Sequence, residues 1–148
     1  MPEFRTEIEI GAAPDTVFDY LVTEHGLLQW MGQHARLQPT PGGVFAVDIA
    51  GHPIRGHYLE VDRPRRVVVS WGLAGSSDFP PGRSRVEFTL TAIPTGTRVE
   101  LVHDGLPEER MPGHADGWAH FLGRLASAAA GSPPPGDEWV PLMERRLS

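Results

Sequence analysis

An α+β domain, in which an antiparallel sheet of about seven strands curls around one long C-terminal helix, is the fold class this sequence predicts. Three observations carry the prediction. Met111 to Ala130 holds the single long amphipathic helix pattern, with Trp118, Phe121, Leu122 and Leu125 at i, i+3, i+4 and i+7. From Gln33 to His103 the chain alternates apolar and polar residues between short turns. Only two short helical patterns precede that run, directly after a first strand. Consecutive strands with tight turns make an antiparallel meander whose one apolar face needs a cover, and the long helix supplies it.

The first strand runs from Phe4 to Ile10, with Phe4, Thr6, Ile8 and Ile10 on one face and Arg5, Glu7 and Glu9 on the other. Ala13-Pro14-Asp15 leads into a short helix whose apolar face is Val17, Phe18 and Leu21. Thr23 is the N-cap expected for a second short helix through Leu27, Leu28 and Trp30, which Gly26 weakens. Ala35 and Leu37 mark a strand, and Pro39 to Gly43 a hairpin turn. Phe45, Val47 and Ile49 form the next strand face, and Ala50-Gly51-His52-Pro53 turns into Ile54 to Val61. After Asp62 to Arg65 the face is Val67, Val69 and Trp71. Gly72 to Gly82 reads as a long flexible loop. Val86, Phe88 and Leu90, then Val99, Leu101 and His103, make the last two strands. In the long helix Pro112 suits the first turn, and Gly131 with the prolines after Ser132 ends it. Its opposite face is Asp116, His120, Arg124 and Ser127, with His120 expected to be simply solvated.

Composition narrows the function classes. A chain of 148 residues is large enough to bury one core. It has no cysteine, so disulfides, thiolate metal sites and cysteine nucleophiles are excluded. A net charge of −6 argues against nucleic acid or an anionic membrane as a principal partner. No signal-like N-terminus and no membrane-length apolar run is present, so a cytoplasmic location is expected.

The order and spacing of several pieces resemble the START-like (SRPBCC, helix-grip) superfamily, in its branch of homologues of the activator of heat-shock-protein-90 ATPase (AHSA-type). The pieces are Ala13 to Asp19 with Trp30, Pro41 to Phe45, Gly56 to Val61 with Arg63 to Val67, and Ser70-Trp71. Gly96 to Leu101 with His103, and Gly117-Trp118 with Leu122 and Leu125, complete the set. The resemblance spans roughly residues 3 to 126. It implies a seven-stranded antiparallel sheet around the C-terminal helix, enclosing a cavity, with the two short helices closing one end. It also implies that such proteins often pair, so a homodimer is among the expected partners. The superfamily includes lipid and hormone binders, aromatic polyketide cyclases and chaperone co-factors, so the fold sets a range of site types and no single activity. The division expected is a helix-grip domain over residues 1–131 and a Pro-rich hinge and tail over 132–148. The tail departs from the family pattern. Trp139, Val140, Leu142 and Met143 are too apolar to stay in water, so residues 138–147 are expected to dock as a short helical or turn-like segment.

The seven histidines invite a metal reading, yet no His-x-x-x-His or His-Glu-x-x-His pair exists on a helix. No metal and no cofactor is expected. His103 and His114 could meet near the start of the long helix, as hydrogen-bonded structural groups at the cavity mouth. His57 has two readings. It points inward if Leu59 and Val61 do, and outward if Tyr58 points inward instead, and a bulge near Gly56 permits either. An inward His57 would suit a general base. Gly-x-Ser-x-Gly, Gly-x-Gly-x-x-Gly and Walker patterns are absent. Arg63, Arg65 and Arg66 read as a solvated turn, with an acidic partner as the minority reading.

The leading expectation is a binder of a small hydrophobic molecule with an internal cavity. Trp30 and Met31 would form the lid, and Phe45, Val47, Trp71, Phe88 and His57 the sheet side of the wall. His103, His114, Trp118 and Phe121 would form the rest. No catalytic residue is identified. The rival expectations are a cyclase or aldolase-type enzyme using a cavity histidine, and a chaperone-associated interaction module using the outer sheet face or the tail.

Overall fold

The computed structural model describes residues 3–132 and 134–141. The elements run β1 (Glu3–Ile10), α1 (Pro14–Val22), α2 (Glu24–Leu28), β2 (His34–Leu37), β3 (Val44–Ile49), β4 (His52–Asp62), β5 (Arg66–Leu73), β6 (Ser84–Ile93), β7 (Gly96–Asp104) and α3 (Met111–Ala129). A single 3₁₀ turn, Glu108–Arg110, leads into α3. The seven strands form one antiparallel sheet in the order β1-β7-β6-β5-β4-β3-β2. This is the predicted α+β helix-grip architecture. The meander runs β2 to β7 in sequence, and β1 joins the far edge beside β7.

Alternation decides the inner face. Phe45, Val47, Val67, Val69, Trp71, Val86, Phe88, Val99 and Leu101 are buried there, against Trp118, Phe121, Leu122 and Leu125 of α3. Val17, Phe18 and Leu21 of α1 join the same core. Burial of this much apolar surface is the main stabilising term, at roughly 1.5–3 kcal/mol for each large side chain removed from water. On the outer face Arg66 bridges Glu60 and Glu87, and Arg98 faces Glu7 and Glu9.

The two short helices are tied down by backbone carbonyls. Trp30 donates its indole N–H to the Tyr20 carbonyl at 2.9 Å, and Tyr58 its hydroxyl to that of Leu21 at 3.1 Å. Tyr20 donates to the Ala128 carbonyl near the end of α3. Thr23 is the N-cap of α2, accepting the Gly26 N–H at 3.0 Å. Gly26 is more than a weak helix former, because a Cβ there would stand 2.6 Å from the Asp19 carbonyl oxygen. The bare position lets α2 fold back on α1.

Two expectations change. The segment after β5 is held rather than loose: Phe79 is buried at its centre, its carbonyl accepts the Leu73 N–H at 2.7 Å, and Asp78 is bound by Arg110. The bulge in β4 lies between Tyr58 and Glu60, not at Gly56, and Leu59 faces outward by alternation from the buried Tyr58. Residues 134–141 form no helix and dock on α3 in a turn-like form, with the Trp139 N–H donating to the Asp137 carboxylate at 3.1 Å. The rest of the expected docking segment, including Leu142 and Met143, lies outside the described residues.

Candidate functional site

Where α3 begins, the sheet curves away from the helix faster than side chains fill the space. The result is a partly open cavity of about 440 Å³. Its floor is Ile49, Ile54, Trp71 and Leu73 from β3 to β5, facing Trp118 and Phe121 of α3. Phe79, Arg110 and Pro112 border one side, and Met31 reaches it from just after α2. Trp139 and Pro141 of the C-terminal segment border another.

Gly113 and Gly117 open the helix side. They stand four residues apart on the face of α3 that lines the cavity, and a Cβ on Gly113 would meet nothing within 4 Å. A glycine in a helix interior costs about 0.5–1 kcal/mol relative to alanine. At Gly113 that leaves open volume against an apolar floor, while Gly117 lies under the Trp139 indole.

The polar groups at the floor are already engaged with one another. Trp118 donates its indole N–H to Nδ1 of His103 at 3.0 Å. His103 therefore carries its proton on Nε2, and gives it to Ser84 Oγ at 2.8 Å. Ser84 in turn donates to the Trp71 carbonyl at 2.7 Å. Trp71 donates its indole N–H to Nε2 of His114 at 3.3 Å, which leaves Nδ1 of His114 as the donor to the Arg110 carbonyl at 3.0 Å. Two indoles and two imidazoles thus form one chain in which every lone pair on a histidine is occupied. The imidazoles also meet edge to face, 5.1 Å between centroids.

Both histidines are held neutral. Burial pushes His103 well below its ordinary value, and the nearby His114 pushes the same way. Burial lowers His114 to about 4, against the partly opposing hydrogen bond to the Arg110 carbonyl. At the rim the hydrogen bonds from Arg110 and Ser76 hold the Asp78 carboxyl down to about 2. Arg110 grips Asp78 through two nitrogens at 3.1 Å, with its guanidinium over the Phe79 ring. Among the described residues, no group of three or more His, Asp or Glu side chains could hold a metal ion.

Of the residues expected at the wall, Met31, Trp71, His114, Trp118 and Phe121 line the cavity. Trp30, Phe45, Val47, Phe88 and His103 are buried in the packed core behind it. Trp30 is no lid: it packs edge-on against Phe88, on the core side. His57 faces solvent, because its neighbours Gly56 and Tyr58 are the buried positions of β4. An inward general base at His57 is therefore corrected. The first short helix, α1, meets α3 towards its C-terminal end, and the cavity opens at the other end of the helix.

As lining residues, Phe79, Gly113 and Gly117 were missed, and Trp139 was expected only to dock. The spacing of Gly113 and Gly117 on the Phe121 side of α3 was a usable signal, and Phe79 is the lone large apolar residue among the glycines and prolines after β5. His120 is not simply solvated: it binds Asp137 and stacks on Trp139. The arginine knot is neutralised within the chain, Arg63 by Asp15 and Asp19, and Arg65 by Asp62.

Comparisons agree with this architecture. The sequence model of the family described as Activator of Hsp90 ATPase homolog 1-like protein matches residues 11–130. The solution structure of an AHSA1-like protein from Rhizobium etli is similar at 39% identity, over 94% of this chain and 88% of that one, with a TM-score of 0.74. The crystal structure of an AHSA1 protein from Silicibacter pomeroyi shares 26% identity over 87% of this chain and 98% of that one, with a TM-score of 0.70. The Aha1 dimer from Colwellia psychrerythraea, 19% identical over 90% of this chain and 100% of that one, shares the fold with a TM-score of 0.81. Among curated proteins nothing matches. Among the described residues, no helix is long and apolar enough to cross a membrane.

Proposed function

This chain belongs to the family of activator of Hsp90 ATPase homolog 1-like proteins, and within that family we propose that it is a non-catalytic binder of a small hydrophobic molecule. Residues 1–131 would be the binding domain, and 132–148 a Pro-rich hinge and tail. The observation that carries the reading is the apolar cavity opened by Gly113 and Gly117 above the floor of Trp71, Trp118 and Phe121. Its size suits a small organic ligand. The floor's indole and imidazole groups already satisfy one another. The buried part of the ligand must then be apolar, since a polar atom there would lose its water without gaining a partner.

The same hydrogen bonds weigh against His114 or His103 as a general base. A general base needs a free lone pair within reach of the substrate. His114 and His103 spend theirs on indole N–H groups. An interaction module would expose a broad apolar patch, whereas among the described residues Leu59, at 47%, is the one large hydrophobic side chain that stands exposed. A homodimer, the assembly of the Colwellia relative, is compatible with a binder and stays part of this proposal.

Two measurements test it. Native mass spectrometry of protein purified from its own host should show a co-purified apolar molecule. Titration with the neutral fluorophore N-phenyl-1-naphthylamine should saturate at one site, and Gly113→Phe, which fills the cavity, should abolish that site. Probe binding that ignores Gly113→Phe would place it elsewhere and sink the reading.

A further inference from the structure

Asp116, His120 and Arg124 make up a polar helix face, yet all three engage residues 134–141. Asp137 is the anchor. Its side chain is 10% exposed; it accepts a hydrogen bond from Nε2 of His120 at 2.9 Å and lies 3.7 Å from Nε of Arg124. Arg124 also donates to the Pro135 carbonyl at 2.8 Å. The Asp137 carboxylate then accepts the backbone N–H of Trp139 at 3.1 Å, which turns that residue towards the helix.

Trp139 lands on a prepared seat. Its indole N–H donates to Asp116 at 3.2 Å. Its ring stacks on His120 and meets Phe121 edge-on, with centroids 6.0 and 5.0 Å apart. The indole lies over Gly117, where a Cβ would stand 3.5 Å from it, at ordinary contact distance. Trp139 also lines the cavity, and so does Pro141. The indole is only half-buried. The family match ends at residue 130, and residues 134–141 lie beyond it.

We propose that Trp139 is a ligand-contacting residue, and that residues 134–141 form a strap whose docking is coupled to occupancy of the cavity. This rests on the reading of the cavity as the site of a small apolar molecule. The argument is one of shared surface. An apolar ligand beside Trp139 covers indole surface that is otherwise open, and so adds apolar burial to the docked strap. By linkage the latch must then raise ligand affinity by the same factor. Asp137 does not line the cavity, so a change there does not touch the ligand directly.

The test uses the full chain and N-phenyl-1-naphthylamine as the probe. Trp139→Ala should weaken binding roughly tenfold, and Asp137→Ala roughly fivefold or more, the usual range for coupled sites. Amide hydrogen exchange across residues 136–140 should slow when the probe is bound. Asp137→Asn, which keeps the size and removes the charge, serves as the second variant, with circular dichroism melts to show that each protein folds. If both Asp137 variants bind as tightly as wild type and strap exchange ignores the probe, the strap inference falls while the cavity reading stands. If wild type does not bind the probe, or binds it regardless of Gly113→Phe, the cavity reading fails and takes the strap with it.

Discussion

The indole N–H of Trp118 ends on Nδ1 of His103, 3.0 Å away, and that bond welds the helix to the sheet. Trp118 stands on the buried face of α3, and His103 on the inner face of β7, one residue before the strand ends. A polar pair inside an apolar core is stable only when each partner is satisfied. Here both are, and the pair fixes the register of α3 against β7.

Trp118→Ala should cost about 3–5 kcal/mol, the range for removing a buried aromatic from a packed core. Trp118→Phe keeps most of the ring volume but orphans Nδ1 of His103, at about 1–3 kcal/mol. Urea unfolding of the two variants checks both. A Phe variant as stable as wild type would show that the hydrogen bond contributes nothing.

Acid should destabilise the fold through the same histidines. Their folded-state pKa values are depressed, so below about 6.5 the unfolded chain binds protons that the folded chain refuses. Stability from His114 is whole above that pH and is lost as pH falls towards about 4. The loss from this one group is roughly 3 kcal/mol. Denaturant unfolding between pH 7 and 4 should show a shallower slope for His114→Gln than for wild type. Titration of the His114 ring near 6.5 by NMR would contradict it.

Two glycines should respond in opposite ways. Gly113→Ala adds a Cβ in open space and should stabilise α3 by about 0.5–1 kcal/mol. Gly56→Ala drives its Cβ to 1.9 Å from the Ser70 carbonyl oxygen, and the obstacle is backbone. About 3 kcal/mol or more of destabilisation is expected there, since a strand must shift. Thermal melts of the pair decide it, and a Gly56→Ala protein as stable as wild type would refute the close approach.

A chain ending at Gly131 should lose about 1–2 kcal/mol, from half-burial of the Trp139 ring, and melt a few degrees lower. Equal melting temperatures would mean that the docked segment contributes no stability.

The architecture was legible in the residues because its signals are local. Period-two alternation in Phe45-Val47-Ile49 and Val86-Phe88-Leu90 defines strands, and Trp118-Phe121-Leu122-Leu125 defines one helix face, before any tertiary contact forms. The cavity is another matter. Whether an aromatic is core or wall depends on how fast the sheet curves away from α3, and no local pattern encodes curvature. So Trp71 and Trp118 came out on the wall, while Phe45, Phe88 and Trp30, equally apolar and equally periodic, came out behind it. His57 turned outward because its strand alternates from Tyr58, and sequence alone left both phases open. The polar face of α3 showed the same limit. Asp116, His120 and Arg124 looked like a solvated surface, because the segment that covers them returns from beyond a proline hinge. Sequence by itself determined the elements and their apolar faces; only the folded chain decided which polar groups meet, because hydrogen-bond partners such as His120 and Asp137 are set by distance in space, not along the chain.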